Sequence, residues 1–246
     1  MTLVAFAAGV IDAIAGGGGL LTFPALLTAT GGDVRLSLGT NKGQSVFGSA
    51  SSLLSYYRAG RIARARFLPT FFPALAGALI GVRLALSLPP DVLRPVVMSL
   101  LVAIALFLAL RGRRKLPPKA WAVAERHPVV VAISIGLVMG TYDGFFGPGV
   151  GTFLIALFVA IFGDDLTAAT ANAKVANFAS NLGSVATFAL AGQIDFRLAL
   201  PMAAGQALGG MVGAKLAIKG GERFIRAGVL CVTVALVVRL AWQMTH

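Results

Sequence analysis

At 246 residues, 57% hydrophobic and 12% charged, with a mean hydropathy of +0.86, the chain is too apolar to present a water-soluble surface and reads as a polytopic membrane protein. A net charge of +12 would suggest nucleic acid for a soluble domain. Here the basic residues gather between apolar runs, at Arg58, Arg61, Arg64 and Arg66 and again at Arg111, Arg113, Arg114, Lys115 and Lys119, which argues against nucleic-acid binding and for cytoplasmic loops facing anionic lipids.

From the N-terminus, the first apolar run is broken by Asp12-Ala-Ile-Ala-Gly-Gly-Gly-Gly-Leu-Leu-Thr22, so residues 2–14 and 20–30 are predicted as short helical arms either side of the glycines. Ala13-Ile14-Ala15-Gly16 imitates a signal-peptidase site, but no basic residue precedes the run and its Asp-then-glycine pattern recurs, so it is read as part of the fold. Helices are predicted over 39–57, 67–88 and 92–110, followed by a basic linking loop over 111–127. A second broken run, Asp143-Gly-Phe-Phe-Gly-Pro-Gly-Val-Gly-Thr152, is flanked by arms at 128–142 and 151–162. Helices at 170–191, 196–218 and 223–243 complete the chain. The lone cysteine, Cys231, lies in an apolar run, where packing explains it.

A shift of 132 residues pairs Lys42 with Lys174, Ser52 with Ser184, Gly60 with Gly192, Pro69 with Pro201 and Gly77 with Gly209. So many special residues in one register indicate an internal duplication, with repeats at 1–110 and 128–246 in one all-α membrane domain. If each broken run crosses the bilayer once, the repeats are parallel. If it folds back as a re-entrant hairpin beside three transmembrane helices, they are inverted. The inverted arrangement places more Lys and Arg inside, because it adds Lys215, Lys219, Arg223 and Arg226 to that side. Length agrees, since residues 128–162 as one straight helix would span about 52 Å against a hydrocarbon core of about 30 Å.

A glycine break inside a bilayer belongs where protein or a water-filled cavity satisfies its backbone. The second arm of each break starts with free N–H groups, near Gly19 and Thr22 and near Gly149, Gly151 and Thr152, and these with the helix dipole suit an anion. Glycine for close helix packing alone is the plainer alternative. Asp12 and Asp143, acids inside apolar runs, either carry a proton or coupling cation or cap the breaks. Lys42 and Lys174, bordered by Asn41, Gln44, Asn172, Asn177 and Asn181 and expected near helix starts, either contact substrate, snorkel, or pair with the nearby acids. Gly77-Ala-Leu-Ile-Gly81 and Gly209-Gly-Met-Val-Gly213 are small-residue faces that let helices touch, within the chain or in a homodimer. An enzyme is poorly served: the only histidines are His127 and His246, and no HExxH or nucleotide-loop motif is present, so no metal or cofactor is expected.

Asp12-Ala-Ile-Ala-Gly-Gly-Gly-Gly-Leu-Leu-Thr-Phe-Pro24, Gly39-Thr-Asn-Lys42, and Ala176-Asn-Phe-Ala-Ser-Asn-Leu-Gly183 leading to Ala191-Gly-Gln-Ile-Asp195 resemble the TauE/SafE family of sulfite-exporter-like membrane proteins across essentially the whole chain. The resemblance implies transport of small sulfur-containing anions such as sulfite or sulfonates in a bacterial-type inner membrane. A potential of about 100 mV, negative inside, is worth about 2.3 kcal/mol per charge and favours anion efflux. A proton- or sodium-coupled importer of an organic anion and an anion channel are the alternatives.

Overall fold

The computed structural model describes residues 1–111 and 122–245, without the side chains of residues 105–111, 122, 223 and 226–245. The basic cluster at Arg113, Arg114, Lys115 and Lys119 and the terminal His246 lie outside the described residues, as does the side chain of Cys231. The described chain is helical throughout its regular structure: α1 (Thr2–Ala15), α2 (Gly18–Ala29), α3 (Val34–Arg58), α4 (Arg64–Ser87), α5 (Pro90–Arg111), α6 (Ala122–Arg126), α7 (Pro128–Phe145), α8 (Val150–Phe162), α9 (Leu166–Leu190) and α10 (Phe196–Thr245). The helix α10 is broken at Gly221, where φ is 60° and ψ −156°, which only glycine adopts without strain. The five-residue α6 falls within the expected linking loop.

Two starts differ from the sequence expectation. Expected at 39 and 170, α3 and α9 begin at Val34 and Leu166, because Asp33 and Asp165 cap them: the Asp33 carboxylate accepts from Leu36 N, and that of Asp165 from Thr167 N and Ala168 N. Consequently Lys42 and Lys174 sit two turns inside their helices rather than at the ends, and both are buried.

Small residues govern how the helices approach. Helix α4 lies along α7 and α10 along α1, with carbonyl oxygens so close that any Cβ would collide: Gly77 and Gly81 face Leu137 and Thr141, while Gly205, Gly209 and Gly213 face Thr2, Phe6 and Val10. Lipid is as apolar as a leucine core, so this contact, rather than burial from water, is what holds such helices together. Both GxxxG faces are therefore covered by helices of the same chain.

Polarity runs inside out. Leu3, Leu68, Phe72, Val130, Val138 and Leu200 are exposed on the outer faces, while the middle of the bundle buries Lys42, Asp143, Lys174, Asn41, Asn177 and Asn181. Of the described helices, α4 and α7 are long and apolar enough by composition alone to cross a membrane. Helices α3 and α9 are 25 residues each, and their buried polar rows lower their hydropathy. Those two helices carry the polar centre.

At one end of the bundle Arg66 clamps Asp164 at 2.8 Å and stacks over Phe162. Asn172 joins the same junction, donating to Asp164 and accepting from Ala63 N. A corresponding bond, Asp195 N to Thr40 Oγ1, lies 132 residues on for its backbone donor and 132 back for its side-chain acceptor. The first half of the chain thus reaches into the second, and the second into the first, through matching positions.

Candidate functional site

The first glycine break folds the chain back on itself. Gly16, in the left-handed region at φ 76°, ends α1 with its N–H on Asp12 O, and the turn that follows sets Gly18 against Ala8 and Asp12. Leu26 of α2 then shares a small cluster with Ala5 of α1 and Met202. In the second break Gly147 and Gly149 have φ of 93° and 85°, and Tyr142 donates to the Pro148 carbonyl at 3.1 Å.

The two breaks meet. Gly16 and Gly151 touch backbone to backbone, leaving no room for a Cβ on either, and Gly19 approaches Pro148. Thr152 ties the crossing by donating to Ala15 O at 2.8 Å. Phe23 and Phe146 close against each other beside it, their ring centroids 6.2 Å apart. The N-terminal ends of α2 and α8 are thereby brought to one place; the N–H groups of Leu20, Val150 and Thr152 are taken by the carbonyls of Gly17, Gly147 and Gly149, and those of Gly18, Gly19 and Gly151 have no backbone partner among the described residues.

A cavity lies at this crossing. Gly18, Gly19, Gly149 and Val150 contribute helix starts, and Asp12, Asn41, Lys42, Ser45, Asp143, Asn177, Asn181 and Gln206 contribute side chains. It is small, about 20 Å³, with room for roughly one or two waters. An oxyanion would need the walls to part.

Two ion pairs flank the cavity, and both run between the halves. Lys42 Nζ sits 2.5 Å from Asp143 Oδ1 and also donates to Asn181 Oδ1 at 3.1 Å. Ser180 donates to the other carboxylate oxygen of Asp143, with Asn177 Nδ2 3.5 Å away. Both side chains are almost sealed, at 3% and 2% exposure. Lys174 Nζ donates to Asp12 Oδ2 at 2.7 Å and also to the Asp12 backbone carbonyl. Asp12 is 20% exposed, although Lys174 is wholly buried. Between the pairs, Asn181 Nδ2 donates to Ser49 Oγ at 3.3 Å, residues 132 positions apart. Of the readings left open for the lysines, pairing with the acids is the one the geometry displays.

Some predicted residues line the cavity and others support it. Gly19, Asn41, Lys42, Gly149, Asn177, Asn181, Asp12 and Asp143 line it. Thr22 and Gln44 stand behind, both bonded to Asn41 Oδ1, at 2.6 and 2.9 Å, which directs the Asn41 amide group toward Gly19. Gly151 and Thr152 belong to the crossing itself, and Lys174 reaches the cavity through Asp12. Asn172 stands apart, in the junction with Ala63 and Asp164. Sequence reasoning missed Ser45, Ser180 and Gln206. Gln206, 2% exposed, lines the cavity without a hydrogen-bond partner among the described residues, its Oε1 lodged in the notch left by Gly9 and Gly48. Its signal was a lone amide in the apolar run 196–218. Among the described residues no cluster of His, Cys, Asp and Glu could hold a metal.

The profile of the family described as "Sulfite exporter TauE/SafE" matches residues 1–240. The chain belongs to this family. Similar proteins include "Probable membrane transporter protein ORF9" of Sinorhizobium sp, 40% identical over 99% of this chain and 92% of that one. "Probable membrane transporter protein YfcA" of Escherichia coli K12 is 34% identical over 98% of this chain and 88% of its own. A "Probable membrane transporter protein" of Haemophilus influenzae is 35% identical over 98% and 92%. No solved structure matches. Family membership and an inside-out helical bundle make this TauE/SafE protein an integral membrane transporter.

Proposed function

We propose that this transporter exports small oxyanions of the sulfite or organosulfonate class, bound where the starts of α2 and α8 cross. The observation that carries the proposal is the cavity lining: two helix starts, an outward-turned Asn41 amide and an unpartnered Gln206 converge on it. Donors of this kind hold an oxyanion without a free cationic side chain. Lys42 and Lys174 then act through the acids that they hold, and Asn177 and Asn181 trim the pocket.

The topology that we infer is inverted, with each break a re-entrant hairpin, both chain ends outside, and Arg58, Arg61, Arg64 and Arg66 at the cytoplasmic face of an inner membrane. Its support is the Arg66–Asp164 contact. Parallel repeats would put those residues on opposite faces, whereas hairpins put them on the same one. A reporter fused to the C-terminus checks this reading; an external signal agrees with it and a cytoplasmic one does not.

Substrate class is tested by thermal shift of purified protein over sulfite, thiosulfate, methanesulfonate, sulfoacetate, taurine and simple carboxylates. Ligand at about 100 times its Kd adds about 2.7 kcal/mol of stability, a readily measured rise in Tm. Stabilisation by sulfite or a sulfonate, with matching efflux from liposomes, is expected. A carboxylate preference, or no response to any of them, rejects the proposal.

A further inference from the structure

The charges around the cavity cancel. Lys42 and Asp143 form one pair, Lys174 and Asp12 the other, and no unpaired ionic group lines the walls. A monovalent anion entering this low-dielectric place would leave one negative charge uncompensated. Taking up one proton restores the balance, because it turns a carboxylate into a neutral acid and leaves the paired lysine positive. The cavity thus stays neutral when anion and proton arrive together.

The two carboxylates are not equally able to take that proton. Both oxygens of Asp143 are engaged, by Lys42 on one side and by Ser180 and Asn177 on the other, and the group is sealed. Asp12 has Oδ1 without a hydrogen-bond partner among the described residues, and it opens on the cavity. Its neighbours suit the change. Lys174 already bonds to Asp12 O and remains anchored when the carboxylate is neutralised.

The groups facing Asp12 are few. From α3 come Lys42, across the cavity, and Tyr56, whose hydroxyl donates to Ala13 O. Helix α9 presents Lys174, and α7 places Asp143 on the far wall. Helices α2 and α8 contain no titratable residue, and α10 turns Gln206 inward while Lys215 and Lys219 are exposed.

We propose that the transporter binds a monovalent sulfonate-type anion together with one proton, and that Asp12 is the group that takes the proton. The proton comes from water on the side to which the cavity opens and leaves with the anion on the other, so one cycle moves no net charge. This rests on the anion reading above and changes its driving force: flux follows the substrate and pH gradients rather than the voltage, and an acidic exterior opposes efflux.

The test is calorimetric titration of the purified full-length protein with methanesulfonate, whose charge is constant over the pH range used. Titrations in two buffers of different ionisation enthalpy count the protons. The expected result is uptake of one proton per anion and affinity that weakens by up to about tenfold per unit rise in pH. Asp12→Asn should abolish the uptake and flatten the pH dependence. Should that variant not fold, the wild-type proton count decides. Binding with no proton uptake and no pH dependence, or a wild-type slope in Asp12→Asn, overturns the inference alone; no binding at any pH overturns the anion reading for sulfonates and the inference with it.

Discussion

Lys42–Asp143 and Lys174–Asp12 are built from the same residue types 132 or 131 positions apart, and each joins one half of the chain to the other, yet their surroundings differ. Around Asp143 stand Ser180, Asn177 and Asn181. The positions 132 residues earlier are Gly48, Ser45 and Ser49, and none of them bonds to Asp12. A Cβ at Gly48 would displace Gln206 Oε1, the movable end of its side chain, and crowd the Gln206 carbonyl. The difference is therefore written into the side chains and not only into one conformation. It teaches that a duplicated scaffold can divide its work: one pair holds its acid sealed and bonded at both oxygens, while the other leaves an acid partly exposed with one oxygen free among the described residues.

Breaking the locked pair should have the largest effect. Lys42→Met leaves Asp143 buried without its cation and is expected to cost about 3–5 kcal/mol, seen as a large fall in Tm in detergent. Lys42→Met with Asp143→Asn should recover much of that loss, and strictly additive effects would deny that the two residues form a unit. The crossing is next. Gly16→Ala places a Cβ against the Gly151 backbone at a positive φ, so about 1–3 kcal/mol of stability and most transport should be lost. Transport at the wild-type rate would mean that the breaks need not touch. A change beside Asp143 sharpens the comparison. Ser180→Gly removes one charge-assisted bond from Asp143, gives it the residue found beside Asp12, and should cost about 1.5–3 kcal/mol at most while making Asp143 more reactive.

Most of the architecture was legible in the sequence, because glycine breaks, apolar runs and the 132-residue register are local or periodic signals. The early starts of α3 and α9 were not read, although Asp33 and Asp165 are ordinary capping residues in the same register. Of the site, the acids, lysines and asparagines stood out as polar residues in apolar surroundings. What could not be read was which lysine meets which acid. Lys42 finds Asp143 and Lys174 finds Asp12 only because α3 of one half crosses toward the broken helix of the other, and no local pattern encodes that exchange. Asn172 looked like its neighbours, but it lies two residues before Lys174 and five before Asn177, and it joins Asp164 at the end of the bundle.

The inequality of the two acids can be measured on the wild-type protein. Treatment with a water-soluble carbodiimide and an amine nucleophile, followed by peptide mass spectrometry, reports the reactivity of each carboxyl group. Asp12 should be modified, more slowly when methanesulfonate is present, while Asp143 stays intact until the protein unfolds. Equal modification of both, or modification of Asp143 first, would contradict the division between a locked pair and an open one.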